Sequence, residues 1–413
     1  MQAIHGRRPE RTGARLTLPI LLGVVFLNLV GFGVVIPLLP FFAGSFGAEP
    51  WQITLLFSAY SLGNVFGEPF WGRLSDRIGR RPVLLLTIAG NALTYIALAF
   101  APSLWAACAI RLCGGFLTGN VSTIQGYIAD VSPPERRPAR LGLLGAAFGI
   151  GFLIGPVLGG LAAMPGMGMM GYRLPLLAAS GFCALSALGV ALFVRESRVR
   201  QASAEAPMGR FADLRRGLGD PVLRRVFAIT FLATAGFSAM ESVFGLWTMS
   251  AFSWGPREIS GAFIVVGLAA GAGHALLIGP VARRVGQSGM LLAGLVLVVL
   301  GLAAMSLVAH VPPALAAAGA VAFGQALALP NLAALVAQAA GPARAGAMLG
   351  LNLAAGAVAR VLGPLLAGGL FSMISPSAPF VAAVLIVAPA IWLAISLRSA
   401  QSRAVDGDPS LAE

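Results

Sequence analysis

The chain contains no lysine; all 28 of its basic residues are arginine. That absence excludes a P-loop, whose lysine must reach the nucleotide phosphates, and it excludes a Schiff base to retinal or pyridoxal phosphate. Charge of either sign is also scarce, at 10% of residues, against about 25% in a soluble domain. Too little polar surface remains to face water on all sides. The three cysteines, Cys108, Cys113 and Cys183, fall in apolar stretches and read as small core residues, not as disulfides. His5, His274 and His310 are far apart and no His-Glu-x-x-His occurs. No metal and no cofactor is expected.

What is abundant is apolar residue, 58% of the chain. Twelve stretches approach the spanning length of about 20 residues: 18–42, 53–71, 82–101, 104–128, 141–163, 174–194, 226–250, 259–281, 289–309, 313–338, 346–371 and 378–397. Their length, and apolar runs without strict alternation, indicate helices and not barrel strands. The fold class read from this pattern is an all-α membrane protein with twelve transmembrane helices.

The pattern is duplicated. Gly72-Arg73-Leu74-Ser75-Asp76-Arg77-Ile78-Gly79-Arg80-Arg81-Pro82 separates spans 2 and 3, and a degraded copy, Gly279 to Gly286, separates spans 8 and 9. Gly155-Pro156-Val157-Leu158-Gly159-Gly160 recurs as Gly363-Pro364-Leu365-Leu366-Ala367-Gly368-Gly369. Two six-helix bundles follow, 1–194 and 220–398, joined by a linker at 195–219 and followed by a tail at 399–413. The first fifteen residues, the linker and the tail read as disordered. Duplication of this kind places a binding site where the halves meet.

The net charge of +13 invites a nucleic-acid reading, but its distribution opposes one. With the N-terminus in the cytoplasm, only Arg173 and Arg257 fall outside, and Arg111 and Arg360 fall within spans. Every other arginine lies on cytoplasmic segments, where it holds topology against anionic lipid. Both termini are therefore expected inside. Arg7, Arg8, Arg11 and Arg15 before an apolar run resemble a signal peptide, yet the run is long, carries Asn28, Pro37 and Pro40, and enters the multi-span pattern. It reads as span 1.

The motifs carry a family likeness. Gly72–Arg81 resembles the loop signature between helices 2 and 3 of the major facilitator superfamily. Gly151-Phe152-Leu153-Ile154-Gly155-Pro156, continuing through Gly159 and Gly160, is similar to the helix 5 motif of that superfamily's antiporters, and Arg111-Leu112-Cys113-Gly114-Gly115 to its helix 4 motif. Ile36-Pro37-Leu38-Leu39-Pro40 and the run from Arg80 to Leu86 resemble the twelve-helix, tetracycline-type drug–proton antiporters. The resemblance implies pseudo-symmetric bundles and a transporter, not an enzyme. Export of small amphipathic compounds across the bacterial inner membrane by proton antiport is the implied activity. The implied partners are a small-molecule substrate, protons and lipid, with no nucleic acid, on a monomer. A proton-coupled importer or metabolite facilitator is the alternative; a non-transport receptor or scramblase is the more distant one.

The residues have their own physical reading. Gly72 and Gly79 permit a tight turn. Asp76 is an anion among Arg73, Arg77, Arg80 and Arg81, and Asp130 at the end of span 4 is a second acceptor. By resemblance these form a cytoplasmic latch between the halves. Gly151, Gly155 and Gly159 make a smooth stripe for close helix approach, Pro156 bends the helix, and Gly356, Gly363, Pro364, Gly368 and Gly369 are the matching set in span 11.

Charge inside a bilayer is expensive and needs a reason. Glu241 lies about fifteen residues into span 7, roughly 22 Å from its start, and is the candidate for exchanging a proton. Arg360 in span 11 is its candidate counter-ion; Arg111 and Glu68 are further coupling candidates. Asn28, Tyr60, Asn64, Gln125, Gln325 and Asn352 mark a possible polar cavity, with Phe32, Phe237, Phe244 and Trp247 as an aromatic wall. Tetracycline exporters carry acids in helices 1, 3 and 9 and a histidine in helix 8. Here Asn28, Thr94, Val298 and Ala270 stand near those places, so coupling must use other residues.

Overall fold

The computed structural model describes residues 14–133, 136–197, 210–276, 280–341 and 344–405, and these residues are helical with no strand among them. The first half contains α1 (Ala14–Val35), which continues through a 3-10 turn into the short α2 (Leu39–Gly44). It is followed by α3 (Pro50–Ile78), α4 (Arg80–Ala99), α5 (Leu104–Thr118), α6 (Val121–Asp130), α7 (Arg137–Ala162) and α8 (Met169–Phe193). After α9 (Arg210–Gly219), the second half contains α10 (Pro221–Phe252), α11 (Pro256–Leu276), α12 (Pro280–Leu307), α13 (Val311–Ala340), α14 (Ala345–Met373) and α15 (Ala378–Val405).

Among the described residues, eleven helical stretches are long and apolar enough to cross a membrane. The remaining long helix is α3, 29 residues. Tyr60, Asn64, Glu68, Arg73, Asp76 and Arg77 make it too polar to qualify by composition. With α3 counted, the twelve spans of the sequence reading each have a helical counterpart. Three boundaries differ. Span 4 is broken into α5 and α6 at Gly119 and Asn120. The expected disordered linker contains α9, which packs on α10 and α14 with Gly217 beside Met348 and Phe227. The tail is helical to Val405, while 1–13, 198–209 and 406–413 lie outside the described residues.

Each half has its own hydrophobic core. One is built from residues of α1 to α8 and includes Leu21, Leu56, Leu84 and Tyr127; the other runs through α10 to α15 and includes Val226, Trp247, Leu295 and Phe380. Within the first half α1 packs on α7 and α8, and α3 on α5; within the second, α10 packs on α14 and α15, and α12 on α13.

The glycine stripes explain the pairing of α1 with α7. A Cβ on Gly155 would lie 2.7 Å from the Val30 carbonyl oxygen and from the Gly33 Cα, so only hydrogen fits. In the second half a Cβ on Gly363 would lie 2.7 Å from the Ala235 carbonyl oxygen, against Ser238. The repeat seen in the sequence is thus a repeat of one helix–helix contact: α7 on α1, and α14 on α10. The halves then meet through α3 with α14 and α7 with α11. Gly160 abuts Ser260, and Gly368 abuts Thr54. Trp51 N donates to Ser372 Oγ at 3.1 Å, and Ser58 Oγ to the Val361 carbonyl at 2.9 Å. These joints lie between mid-helix and the end opposite the arginine-rich 72–81 segment.

Candidate functional site

At the arginine-rich end, α3 runs unbroken through Ile78, so Gly72 is not part of a turn as expected. It is helical, and its missing Cβ leaves room for Ser122, 3.0 Å from where that atom would sit. The whole turn is Gly79, with φ of 108°. Arg80 is the hub beyond it: its guanidinium bonds Asp76 at 2.9 Å, Asp130 at 3.2 Å and Ser75 Oγ at 2.6 Å. Arg73 and Arg77 are exposed.

A residue that the sequence reading left in the linker completes this cluster. Glu196 accepts from Arg80 N at 2.9 Å and from Arg81 N at 3.1 Å, so a carboxylate caps the first turn of α4. Arg81 donates to the Ala191 carbonyl, Tyr127 Oη to the Arg195 carbonyl at 2.9 Å, and Ser197 Oγ to Asp130 at 3.2 Å. The exit of α8 is therefore clasped onto α4 and α6. These bonds run among elements of the first half.

Between this cluster and the joints, charged and polar side chains within the spans keep access to open space, and the region they share is termed the cleft. Asn64, Glu68 and Glu241 keep partial exposure and Arg360 is exposed, although all sit within long helices. The Arg360 guanidinium lies near Gly356, on the face of α14 that meets Thr230 and Thr234 of α10. Its charge acts on both Glu241 and Glu68, but among the described residues neither acid is close enough to Arg360 for a contact ion pair. Glu68 is not part of the surface cluster. Its carboxylate accepts from Ser122 N at 3.2 Å, at the first turn of α6 exposed by the break in span 4.

Arg111 is 3% exposed and has no carboxylate partner among the described residues. Its Nε donates to the Leu56 carbonyl at 3.3 Å and its guanidinium lies 4.2 Å from the centre of the Tyr60 ring. A cation–π contact of this kind contributes on the order of 1 kcal/mol. Tyr60 also packs on Phe32, with ring centres 5.1 Å apart, and Phe32 approaches Phe152 at 6.4 Å.

The chain resembles known membrane proteins over most of its length. The model of the Major Facilitator Superfamily matches residues 21–276 and 226–411. The chain belongs to that superfamily. The tetracycline resistance protein, class C, of Escherichia coli is 32% identical over 298 residues, covering 68% of this chain and 71% of that protein. Multidrug resistance protein 2 of Bacillus subtilis (strain 168) is 27% identical, over 66% of this chain and 68% of that one. The crystal structure of the human organic anion transporter MFSD10 (TETRAN) superposes with a TM-score of 0.69 at 25% identity, covering 94% of this chain and 100% of the other. A bacterial homologue of the lysosomal transporter Spinster, in an inward-facing and unoccupied conformation, has the same fold, with a TM-score of 0.75 at 15% identity over 94% of this chain and 97% of that chain.

Within this major facilitator chain the expected cavity residues divide. Asn28, Phe32, Tyr60, Asn64 and Phe237 are half-buried. Asn28 accepts from Asn91 and from Cys183, each at 3.4 Å, an interior polar group the sequence reading did not assemble. Asn352 is buried and accepts from Thr230 Oγ1 at 2.7 Å, tying α14 to α10. Phe244 and Trp247 are buried among Phe263, Phe252 and Phe380 in the second core. Gln125 is exposed, and Gln325 is buried with its Oε1 unpartnered. The α3–α5 seam was also missed. Gly63, Gly67, Gly115 and Gly119 bring these backbones into contact, and the four-residue spacing of each pair was the available signal.

Proposed function

We propose that the protein is a bacterial inner-membrane exporter of small amphipathic compounds, driven by proton antiport, with both termini cytoplasmic. The two bundles, 1–194 and 220–398, rock about the cleft; the linker 195–219 joins them and the tail 399–413 follows. The observation that carries the reading is that Glu241, Arg360 and Glu68 keep exposure inside long helices of both halves, while the halves are joined toward the opposite end. A carboxylate there exchanges a proton with whichever side is open, and Arg360 offers it an alternative partner as the halves move. The Arg80 cluster keeps α3, α4 and α6 rigid, so that the arginine-rich end of the first half moves as a unit and latches against the second. The resistance proteins that resemble the chain support drugs as cargo. The exposed cation Arg360, together with the likeness to an organic anion transporter, favours a cargo range that includes organic anions.

The test is efflux from cells lacking their own pumps, using anionic and cationic dyes with and without a protonophore. Export that collapses with the protonophore, so that dye accumulates once it is added, is expected; accumulation that the protonophore abolishes would identify a proton-driven importer instead. Orientation is tested by reporter fusions at Gly209 and after Arg403. Both should report as cytoplasmic, and a periplasmic signal from either would overturn the topology.

A further inference from the structure

Arg111 is a cation that the first half neither exposes nor pairs. It is 3% exposed and lies about 10 Å along α5 from the first residue of that helix, Leu104. A guanidinium keeps its proton in a protein, so Arg111 cannot escape burial by becoming neutral. Its Nε donates to the Leu56 carbonyl at 3.3 Å, its one hydrogen bond among the described residues. The two terminal nitrogens donate to nothing there. The Tyr60 ring covers one face of the guanidinium. A single cation–π contact offsets far less than removing a guanidinium from water costs.

A second interior group is left unmatched beside it. Tyr95 of α4 is 2% exposed, and its hydroxyl makes no hydrogen bond of normal geometry among the described residues. Asn91, one turn earlier, is committed elsewhere: its side-chain oxygen accepts from Thr94 Oγ1 at 3.2 Å, and its amide donates to Asn28 at 3.4 Å. Helices α4 and α5 close on each other at this point, with Thr94 Oγ1 3.2 Å from where a Cβ on Gly114 would sit, one turn beyond Arg111. Arg111, Tyr60 and Tyr95 are near enough for each to act electrostatically on the other two. No carboxylate is among the groups that act on Arg111. What surrounds it is therefore an aromatic face and an idle hydroxyl, with no negative charge to match the positive one.

We propose that Arg111 and Tyr95 bind a small monovalent anion, chloride, between α4 and α5 in the interior of the first half. One negative charge matches the one uncompensated cation. A water molecule would accept from the same donors and leave the charge in place. Both side chains are buried, so the body of an organic anion is excluded, which separates this site from the exposed Arg360. The edge of the guanidinium and the phenol hydroxyl donate to the ion, in bonds strengthened by charge. The Tyr60 ring on the guanidinium face holds that edge in position. The site does not depend on the cargo or on the direction of transport.

The experiment follows thermal unfolding of the purified full-length protein in detergent as sodium gluconate, whose anion is too large for the site, is replaced stepwise by sodium chloride at constant ionic strength. The melting temperature of the parent should rise with chloride and saturate. Tyr95→Phe removes only the hydroxyl, and the chloride concentration at half-saturation should rise about tenfold or more, the loss of one hydrogen bond to a charged group. A parent that melts at the same temperature in both salts, or a midpoint that Tyr95→Phe leaves in place, overturns the proposal. Sodium acetate in place of chloride tests the other source of a single negative charge: equal stabilisation by acetate would make this a subsite for a carboxylate and overturn the assignment to chloride. A further measurement needs no variant. Crystals of the parent grown in sodium bromide should show an anomalous peak within hydrogen-bond distance of the Arg111 guanidinium, and the absence of a peak there overturns the proposal as well.

Discussion

Gly79 and Gly286 interrupt the helices at equivalent places in the two halves, Gly79 between α3 and α4 and Gly286 as a non-helical kink inside α12, with φ of 108° and 72°. Around Gly79 stand Asp76, Arg80, Asp130 and Glu196; a Cβ there would strike the Glu196 carboxylate. Around Gly286 a Cβ would meet nothing within 4 Å, and the residue at the Asp76 position of the repeat is Arg283. The second half has kept the turn and two arginines and has no carboxylate within the segment Gly279 to Gly286. The cleft shows the reverse. Gly155 faces Val30 and Gly33 as Gly363 faces Ala235 and Ser238, and three residues beyond Gly33 lies Ile36, whereas three beyond Ser238 lies Glu241. Duplication supplied the helix contacts to both halves. The surface clasp then belongs to the first half, and Glu241, an interior carboxylate with no acidic counterpart at Ile36, to the second.

The largest effect is expected at that interior carboxylate. Glu241→Gln keeps the shape of the cleft and removes the exchangeable charge. Uphill export driven by an imposed proton gradient in proteoliposomes should be abolished, while substrate counterflow persists. Undiminished uphill export would move coupling to Glu68, Asp76 or Asp130 and dissolve the division between the halves.

Next comes the clasp. Asp76→Asn or Arg80→Ala should lower efflux per molecule about tenfold at unchanged membrane abundance, equivalent to about 1.4 kcal/mol of lost preference between states. Arg283→Ala and Arg284→Ala, in the second copy, should stay within about twofold, as exposed charges with no ion pair among the described residues do. Equal losses from both copies would mean that the second turn also works by charge.

The smallest difference concerns the turns themselves. Gly286→Ala should cost about 1–3 kcal/mol, because its backbone, φ 72° and ψ 171°, is one that essentially only glycine adopts. Gly79→Ala should cost more, since Glu196 must also leave the first turn of α4. Thermal unfolding in detergent, compared with Glu196→Gln, measures this. If Gly79→Ala and Gly286→Ala lower the melting temperature equally, Glu196 is not seated as described.

The spans and their duplication were legible because lipid imposes long apolar runs and because Gly-Pro pairs mark where backbones touch. The deep charges were legible for the same reason, since Glu241 and Arg360 stand out against their surroundings. Glu196 was not, because the amides it accepts from lie on α4, more than a hundred positions earlier, and nothing in Arg195–Ser197 distinguishes a clasp from a linker. Nor was the division of the polar residues: Asn352 and Asn64 look alike in sequence, and only the position of Thr230 turns Asn352 into a tie between helices. The break in span 4 involves no proline; Gly119 is the sole local hint.

That break has a mechanical consequence. An unbroken helix transmits rotation along its length, whereas one interrupted at mid-span is a jointed rod. Here the joint separates α5, seated on α3 by Arg111 and the glycine seam, from α6, which carries Asp130 into the arginine cluster. The joint lets α6 take its own angle so that Asp130 reaches Arg80 while α5 keeps its seat on α3, and the hydrogen bond from Ser122 N to Glu68 ties the first turn of α6 to the interior acid.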